Sequence, residues 1–288
     1  MKVLFFGDIV GRIGRQAIIK ILPGLKKEFK PDLVLANAEN IAHGKGVTVD
    51  TLKELMNAGI NYFTSGNHFW SKKEEVEKVL TQSLPIIRPA NYSDKFSGMG
   101  YIILDIGVNQ RLPRLDRRVK AGSNRRESAS ILLINLIGRV FTKIEDFEVS
   151  CPFKKVDEIL NKFPEIKIKI IDFHAEATSE KTALGYYLDG RVSLVVGTHT
   201  HVQTADEQIL ANGTAYLSDL GMVGAKDSII GIEKQPIIDH FLSDKLYEPV
   251  EMEIPKKGIA IINGIFVEID EKTGKATKIE RIKRETII

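Results

Sequence analysis

The chain has 288 residues, of which 43% are hydrophobic and 27% charged, with a net charge of +3. This is the composition of an ordinary globular protein with a sizeable core, and it excludes a generally basic one. A single cysteine, Cys151, excludes an internal disulfide and fits a reducing, cytoplasmic setting. No stretch reaches the ~20 apolar residues of a membrane span, and the apolar start is broken by Asp8, too early for a secretory signal.

Lys2 to Phe6 is a short apolar run closed by Gly7 and reads as a buried strand. Arg12 to Phe29 follows with helical spacing, and Pro23 predicts a kink or break. Leu33 to Ala36 is a second strand, ending at "NAEN". Asp50 to Ala58 reads as a helix capped by Asp50 and stopped by Gly59. Tyr62 to Ser65 is a strand ending at "GNH", and Ser71 to Leu80 a helix with Ser71 and Glu74 in capping-box spacing. Ser130 to Ile137, Ile166 to Phe173 and Ser193 to Val196 are further strands, with a helix from Phe153 to Phe163 after the first of them. "TAYLSDLG", "YEPVEMEIP" and "GIAIINGIFVEIDEKTGKATKIERI" add strands and hairpins, with Thr273-Gly274 the clearest turn. Alternating β and α with late β additions is an α/β pattern, without repeat or linker, and one domain over 1–288 is expected.

The charge is unevenly spread. From Asn109 to Ala129 seven basic residues face Asp116 and Glu127, a net +5, which leaves −2 for the rest of the chain. This basic stretch, about 107–129, reads as a long hairpin loop, or as an arm for an anionic partner such as RNA or a substrate phosphate. It has no aromatic residue to stack on bases, which weighs against nucleic acid.

Each buried strand ends in polar residues: Asp8, then Glu39 and Asn40, then Asn67 and His68, then His174, then His199 and His201. In open α/β sheets ligands bind beyond the carboxyl ends of the strands, so these residues should meet at one edge. Taken singly, each has a plain alternative: Asp8 as a helix cap, Glu39, Asn40 and Asn67 as loop polars, His174 as a satisfied core histidine. His199 and His201 stand in i, i+2 spacing, which in a strand aims both rings the same way. Together, carboxylates, amides and imidazoles without a thiolate suit iron, manganese, zinc or cobalt. They exceed the ligands one ion needs, and two ions sharing a carboxylate would use them all.

"GDIVG" (7–11), "GNH" (66–68) and "GTHTH" (197–201) resemble the calcineurin-like metallophosphoesterases. "NAENIAHGKG" (37–46), "RPANY" (88–92), "DFHAEATSEK" (172–181), "VVGTHTHVQTAD" (195–206) and "GTAYLSDLGMVG" (213–224) resemble one subfamily, the YmdB-type 2′,3′-cyclic nucleotide 2′-phosphodiesterases. The likeness runs from Met1 to about Ile282, with the basic stretch as an insertion. It implies a four-layer αββα sandwich, two mixed sheets flanked by helices. It implies one metal held by Asp8, Glu39, Asn40 and His201 and a second by Glu39, Asn67, His174 and His199, with Glu39 as bridge and His68 catalytic. The broader family has D-x-H where this chain has Asp8-Ile9-Val10, so Asn40 would supply an oxygen in place of the missing histidine. The harder ligands favour iron, then manganese, over zinc. Gly197 would let the backbone turn out of the sheet, and Thr178, Ser179 and Glu180 would cap a helix behind His174. His43 and Lys45 are loop residues or substrate contacts, and Arg88 and Asn91 are read as structural.

The expected activity is hydrolysis of 2′,3′-cyclic nucleotides to 3′-nucleotides. A phosphomonoesterase or nuclease on the same site, and a nucleotide- or RNA-responsive regulator whose metal site only binds, are the alternatives. The C-terminal edge strands offer a surface for pairing between subunits, so a homo-oligomer is expected.

Overall fold

The computed structural model describes residues 1–106, 129–142, 148–244 and 253–288. In chain order these form β1 (Lys2–Ile9), α1 (Gly11–Phe29), β2 (Leu33–Asn37), α2 (Val49–Ala58), β3 (Tyr62–Thr64), a 3-10 turn (Phe69–Lys72), α3 (Lys73–Thr81) and β4 (Tyr101–Ile106). They continue through β5 (Ala129–Ile137), α4 (Pro152–Lys162), β6 (Ile168–His174), α5 (Thr178–Leu188), β7 (Leu194–Thr198), β8 (Gln208–Ile209), β9 (Ala215–Leu217), β10 (Met222–Ala225), α6 (Lys234–Leu242), β11 (Ile259–Ile269) and β12 (Ala276–Ile287).

Two six-stranded mixed sheets result, in the orders β12-β11-β10-β1-β2-β3 and β4-β5-β6-β7-β9-β8. Their layering follows from the two-residue period of a strand. On β1, Val3 and Phe5 point between the sheets, into one cluster with Leu133, Ile170 and Val196 of the second sheet. Leu4 and Phe6 point the other way, onto Ile13, Ala17 and Leu22 of α1. On β5, Ile131 and Leu133 face the first sheet, while Leu132 and Ile134 pack on Val156 and Ile159 of α4. Strands buried on both faces read as continuous apolar runs, which is why they stand out in the sequence. The expected two-sheet sandwich with outer helices is the observed architecture. Among the described residues no helix is long and apolar enough to cross a membrane.

Each sheet contains a run of parallel strands: β1, β2 and β3 in one, β5, β6, β7 and β9 in the other. Their carboxyl ends therefore share an edge. Side chains sew the two edges together: Thr64 and Asn37 donate to Asp172 at 2.5 and 3.1 Å, and the Ser65 N–H donates to Asn135 Oδ1 at 3.0 Å.

Several local expectations are corrected. α1 runs unbroken through Pro23. The carbonyl that Pro23 leaves unpaired is that of Ile19, on the solvent side of the helix, where an unpaired group costs least. Thr48, not Asp50, caps α2, in a reciprocal pair with Thr51. Ser71 caps nothing: burial of Phe69 and Trp70 draws residues 69–72 into a 3-10 turn, and α3 starts at Lys73 without a side-chain cap. Of the strand expected over 247–255, residues 253–255 carry no strand and the remainder lie outside the described residues. The basic stretch also lies outside them, save Ala129, which belongs to β5.

Candidate metal centre

Asp8 lies fully buried on β1, at a shift in register against β2. Gly7 beside it is required, since a Cβ there would meet Gly221 O at 1.8 Å. Asp8 Oδ2 accepts from the His199 N–H at 3.1 Å. Asp8 Oδ1 is buried with no hydrogen-bond partner. An orphaned carboxylate oxygen in the interior costs several kcal/mol unless a cation or donor meets it.

Glu39, also buried, follows β2. Its Oε2 accepts from the His68 N–H at 3.0 Å; its Oε1 accepts from Asn40 Nδ2 at 3.2 Å and lies 3.2 Å from His174 Nε2. His174 Nε2 is further met by Asn67 Oδ1 at 2.9 Å and His199 Nδ1 at 3.0 Å. Gly66 makes this approach feasible: a Cβ would stand 2.3 Å from both Glu39 Oε2 and the His174 ring. Glu39, His174 and His199 thus offer donor atoms within 4.8 Å of one another, a group that could hold a metal ion.

His199 and His201 do not lie on the strand. β7 ends at Thr198, and the two histidines have φ of 104° and 65°, so strand alternation does not aim them. The turn separates them instead. His199 joins His174, whereas His201 Nε2 lies 3.1 Å from Asn40 Nδ2. Gly197 is not a hinge for this turn either; it lies within β7, and a Cβ there would meet Ser218 O at 1.8 Å.

Each of the three histidines has its outer nitrogen held. His201 Nδ1 donates to the Ile230 carbonyl at 2.7 Å. His199 Nε2 pairs with Glu176 Oε2 at 3.0 Å. His174 Nδ1 meets Thr198 Oγ1 at 2.9 Å, and that hydroxyl donates to Asp172 Oδ1 at 2.8 Å. With the hydroxyl proton spent on Asp172, Thr198 accepts from Nδ1–H and leaves the Nε2 lone pair facing the cluster. Outer-nitrogen partners of this kind are the usual mark of metal-ligating histidines.

The turn itself is clamped from below. Asp219 accepts from the Thr200 N–H and hydroxyl at 3.1 and 2.8 Å and pairs with buried Lys181 at 2.6 Å. Burial disfavours the Asp219 charge, but Lys181 outweighs it and holds the carboxyl below its ordinary value. Thr178, Ser179 and Glu180 make no cap for α5. Glu180 instead turns its carboxylate onto the Arg139 and Val140 N–H groups at 3.1 and 3.2 Å.

The electrostatics show a site short of positive charge. Burial raises the Asp8 pKa, with the His201 and His174 rings opposing. Burial also disfavours the Glu39 charge, but the adjacent His174 overrides it and holds the carboxyl well below the carboxylate range. His174 rises to about 9 against its own burial because Glu39 stands beside it. His199 falls to about 3 through burial and the charge of His174. A single proton on His174 stands where a cation would relieve both carboxylates.

The structure therefore brings Asp8, Glu39, Asn40, Asn67, His174, His199 and His201 together, with His68 tied in through its backbone. His43 and Lys45 have no hydrogen bond to this group among the described residues; Lys45 acts on the His68 ring through its charge. Asp172, Thr198, Glu176, Lys181 and Asp219 are the supporting residues that the motifs alone do not reveal.

The two-sheet sandwich with outer helices is also the fold of calcineurin-like phosphoesterase YfkN from Bacillus subtilis, whose crystal structure the chain matches with a TM-score of 0.56 at 9% identity, over 98% of this chain and 90% of that one. Residues 4–282 match the family described as YmdB-like protein, and the chain belongs to that family. It is 43% identical over 284 residues to the 2′,3′-cyclic-nucleotide 2′-phosphodiesterase of Bacillus subtilis, covering 98% of this chain and 96% of that one. Among solved structures, a phosphatase from Mycoplasma pneumoniae aligns with a TM-score of 0.84 at 34% identity, over 99% of this chain and 93% of that one. A hypothetical protein from Thermus thermophilus aligns with a TM-score of 0.83, also at 34% identity, over 99% of both chains.

Proposed function

We propose that the protein is a metal-dependent phosphodiesterase that opens 2′,3′-cyclic nucleotides at the 2′ P–O bond, giving 3′-nucleotides. The observation that carries this reading is the buried cluster itself: two carboxylates, one with an orphaned oxygen, facing imidazole nitrogens whose outer sides are already held. This reading assigns two ions, one to Asp8, Glu39, Asn40 and His201 and one to Glu39, Asn67, His174 and His199. It requires the Asn40 amide, whose NH₂ faces Glu39 and His201, to turn its oxygen to the ion, and it prefers iron or manganese over zinc on the oxygen-rich set. Bound ions supply Lewis acidity toward phosphate oxygens and lower the pKa of water so that a nucleophile exists near neutral pH. The name of the Bacillus subtilis relative supports the substrate class.

In the reaction water adds to phosphorus, the bond to the 2′ oxygen breaks, and the proton that the water gives up ends on that oxygen as the 2′ hydroxyl. His68 stands next to Asn67 with its N–H on Glu39, and burial holds its ring below the usual histidine pKa against the pull of Glu39. The ring is thus neutral at pH 7, and it acts by donating an N–H hydrogen bond to the oxygen that carries the departing charge. Purified protein is expected to hydrolyse 2′,3′-cyclic AMP and bis(p-nitrophenyl) phosphate, with little action on p-nitrophenyl phosphate; preference for the monoester would overturn the reading. His68→Ala is expected to lower kcat on 2′,3′-cyclic AMP by ~10²-fold or more, the loss typical of removing one donor to a developing charge. The loss on bis(p-nitrophenyl) phosphate should be smaller, because nitrophenolate leaves unaided. Equal losses on both substrates would remove His68 from the leaving-group side.

Protonation gives a second test. The folded-state pKa of His174, about 9, lies above its unfolded value. Its contribution to stability is present in full below about pH 6.5 and is lost as the pH rises through about 9. Chelator-treated protein should therefore lose thermal stability across that window. Metal-loaded protein, whose ligands have already shed their protons, should stay flat there. Parallel slopes in the two forms count against the cluster as the metal site.

A further inference from the structure

The turn after β5 holds an aromatic ring where packing gives it nothing to do. Phe141 is 85% exposed, and its backbone has φ 59°, a conformation bulky side chains rarely adopt. The residues around it are firmly fixed. Asn91 pairs with both the N–H and the carbonyl of Ile137 at 2.8 Å. The Gly138 N–H donates to the His174 carbonyl at 2.9 Å, and a Cβ on Gly138 would crowd Ala175 Cβ at 2.5 Å and Glu180 Oε2 at 2.6 Å. Glu180 takes the next two N–H groups. Thr142 is buried again and accepts from the Glu176 N–H at 3.4 Å.

Apart from Asn91, every anchor lies between His174 and Glu180, the segment that brings His174 and Glu176 to the cluster. The turn that carries Phe141 is therefore braced against the segment that holds His174 and Glu176. Leaving a phenylalanine in water forgoes the gain of burying it, and its left-handed backbone adds strain. Strain held by its surroundings beside a functional site points to a ligand rather than to packing.

We propose that Phe141 is the platform on which the base of a nucleotide stacks while its phosphate sits at the cluster. The inference rests on the reading that the cluster binds the phosphate of a nucleotide. Every base has a π-face, so an aromatic platform is tolerant of base identity. The expected specificity is for the presence of a base, with little choice among the four.

The test is calorimetric binding of adenosine 3′-phosphate and of ribose 3-phosphate, its base-free counterpart, to metal-loaded protein. Wild type should bind the nucleotide the more tightly. Phe141→Ala should weaken the nucleotide about tenfold or more and leave ribose 3-phosphate unchanged, and Phe141→Trp should restore the preference. In turnover, Phe141→Ala should raise KM for 2′,3′-cyclic AMP with kcat kept. Wild type that binds the two ligands alike, or neither, overturns the platform, as does a Phe141→Ala protein that loses both equally. Base-dependent binding through Phe141 without hydrolysis would keep the platform and overturn the phosphodiesterase reading. Hydrolysis with an unchanged KM in Phe141→Ala would do the reverse.

Discussion

Glu39→Gln is expected to leave the fold standing and to empty the centre. Glu39 is the residue that both proposed ligand sets share, and its two oxygens face opposite ways: Oε1 toward His174 and Asn40, Oε2 toward the His68 N–H. Glutamine keeps the shape but has one oxygen and no charge. Whichever way its amide turns, an NH₂ group meets either the His68 N–H or the lone pair of His174. The metal stabilisation lost is several kcal/mol, so turnover should fall by ~10³-fold or more. A neutral amide is cheaper to bury than a carboxylate, but it cannot pair with a protonated His174, so the metal-free variant should still fold and melt below the metal-free wild type at neutral pH. Elemental analysis should show less than one ion per chain. Full metal content with wild-type turnover would remove Glu39 from the bridge.

The strand ends were legible because the reason for their convergence is general. Parallel strands carry their carboxyl ends to one edge, so Asp8, Glu39, Asn67, His174 and His199 could be gathered from positions scattered over the chain. The period-two argument failed at His199 and His201 because it holds only inside a strand, and β7 stops one residue earlier. Gly197 was visible as a residue and misread as the point where the backbone turns. What Gly66 and Gly197 avoid is an atom from another part of the chain, Glu39 and His174 in one case and Ser218 in the other. The Lys181–Asp219 pair was not read, since Lys181 lies on α5 and the two are 38 residues apart, although Asp219 follows the end of β9 as Glu39 follows β2. Asp172 was within reach: in "DFH" it is two residues before His174 on one strand, and so on the same face.

Asp172→Asn isolates what that residue does. Asp172 Oδ2 accepts from Thr64 and Asn37. The Asn37 amide group can only donate, so the oxygen of an asparagine at 172 must stay on that side. Its NH₂ then faces Thr198, whose hydroxyl can no longer give its proton away at that end. Thr198 turns and donates to His174 Nδ1, and the ring proton moves to Nε2, the atom that faces Glu39, Asn67 and His199. One isosteric change thus preserves every packing contact and presents the wrong tautomer to the metal. Metal affinity should fall by ~10- to 100-fold, as for other outer partners of ligating histidines, while thermal stability of the metal-free protein shifts by only about 1 kcal/mol. Asp172→Ala should behave differently. It strands the Thr64, Asn37 and Thr198 donors in the interior, at ~1–3 kcal/mol each, and so should lose stability and metal together. Nitrogen-15 spectra of the His174 ring, taken on metal-free protein above its pKa of about 9, would read the tautomer directly. Unchanged metal affinity in Asp172→Asn, or a ring that keeps its proton on Nδ1, would reduce Asp172 to a brace between the two sheets.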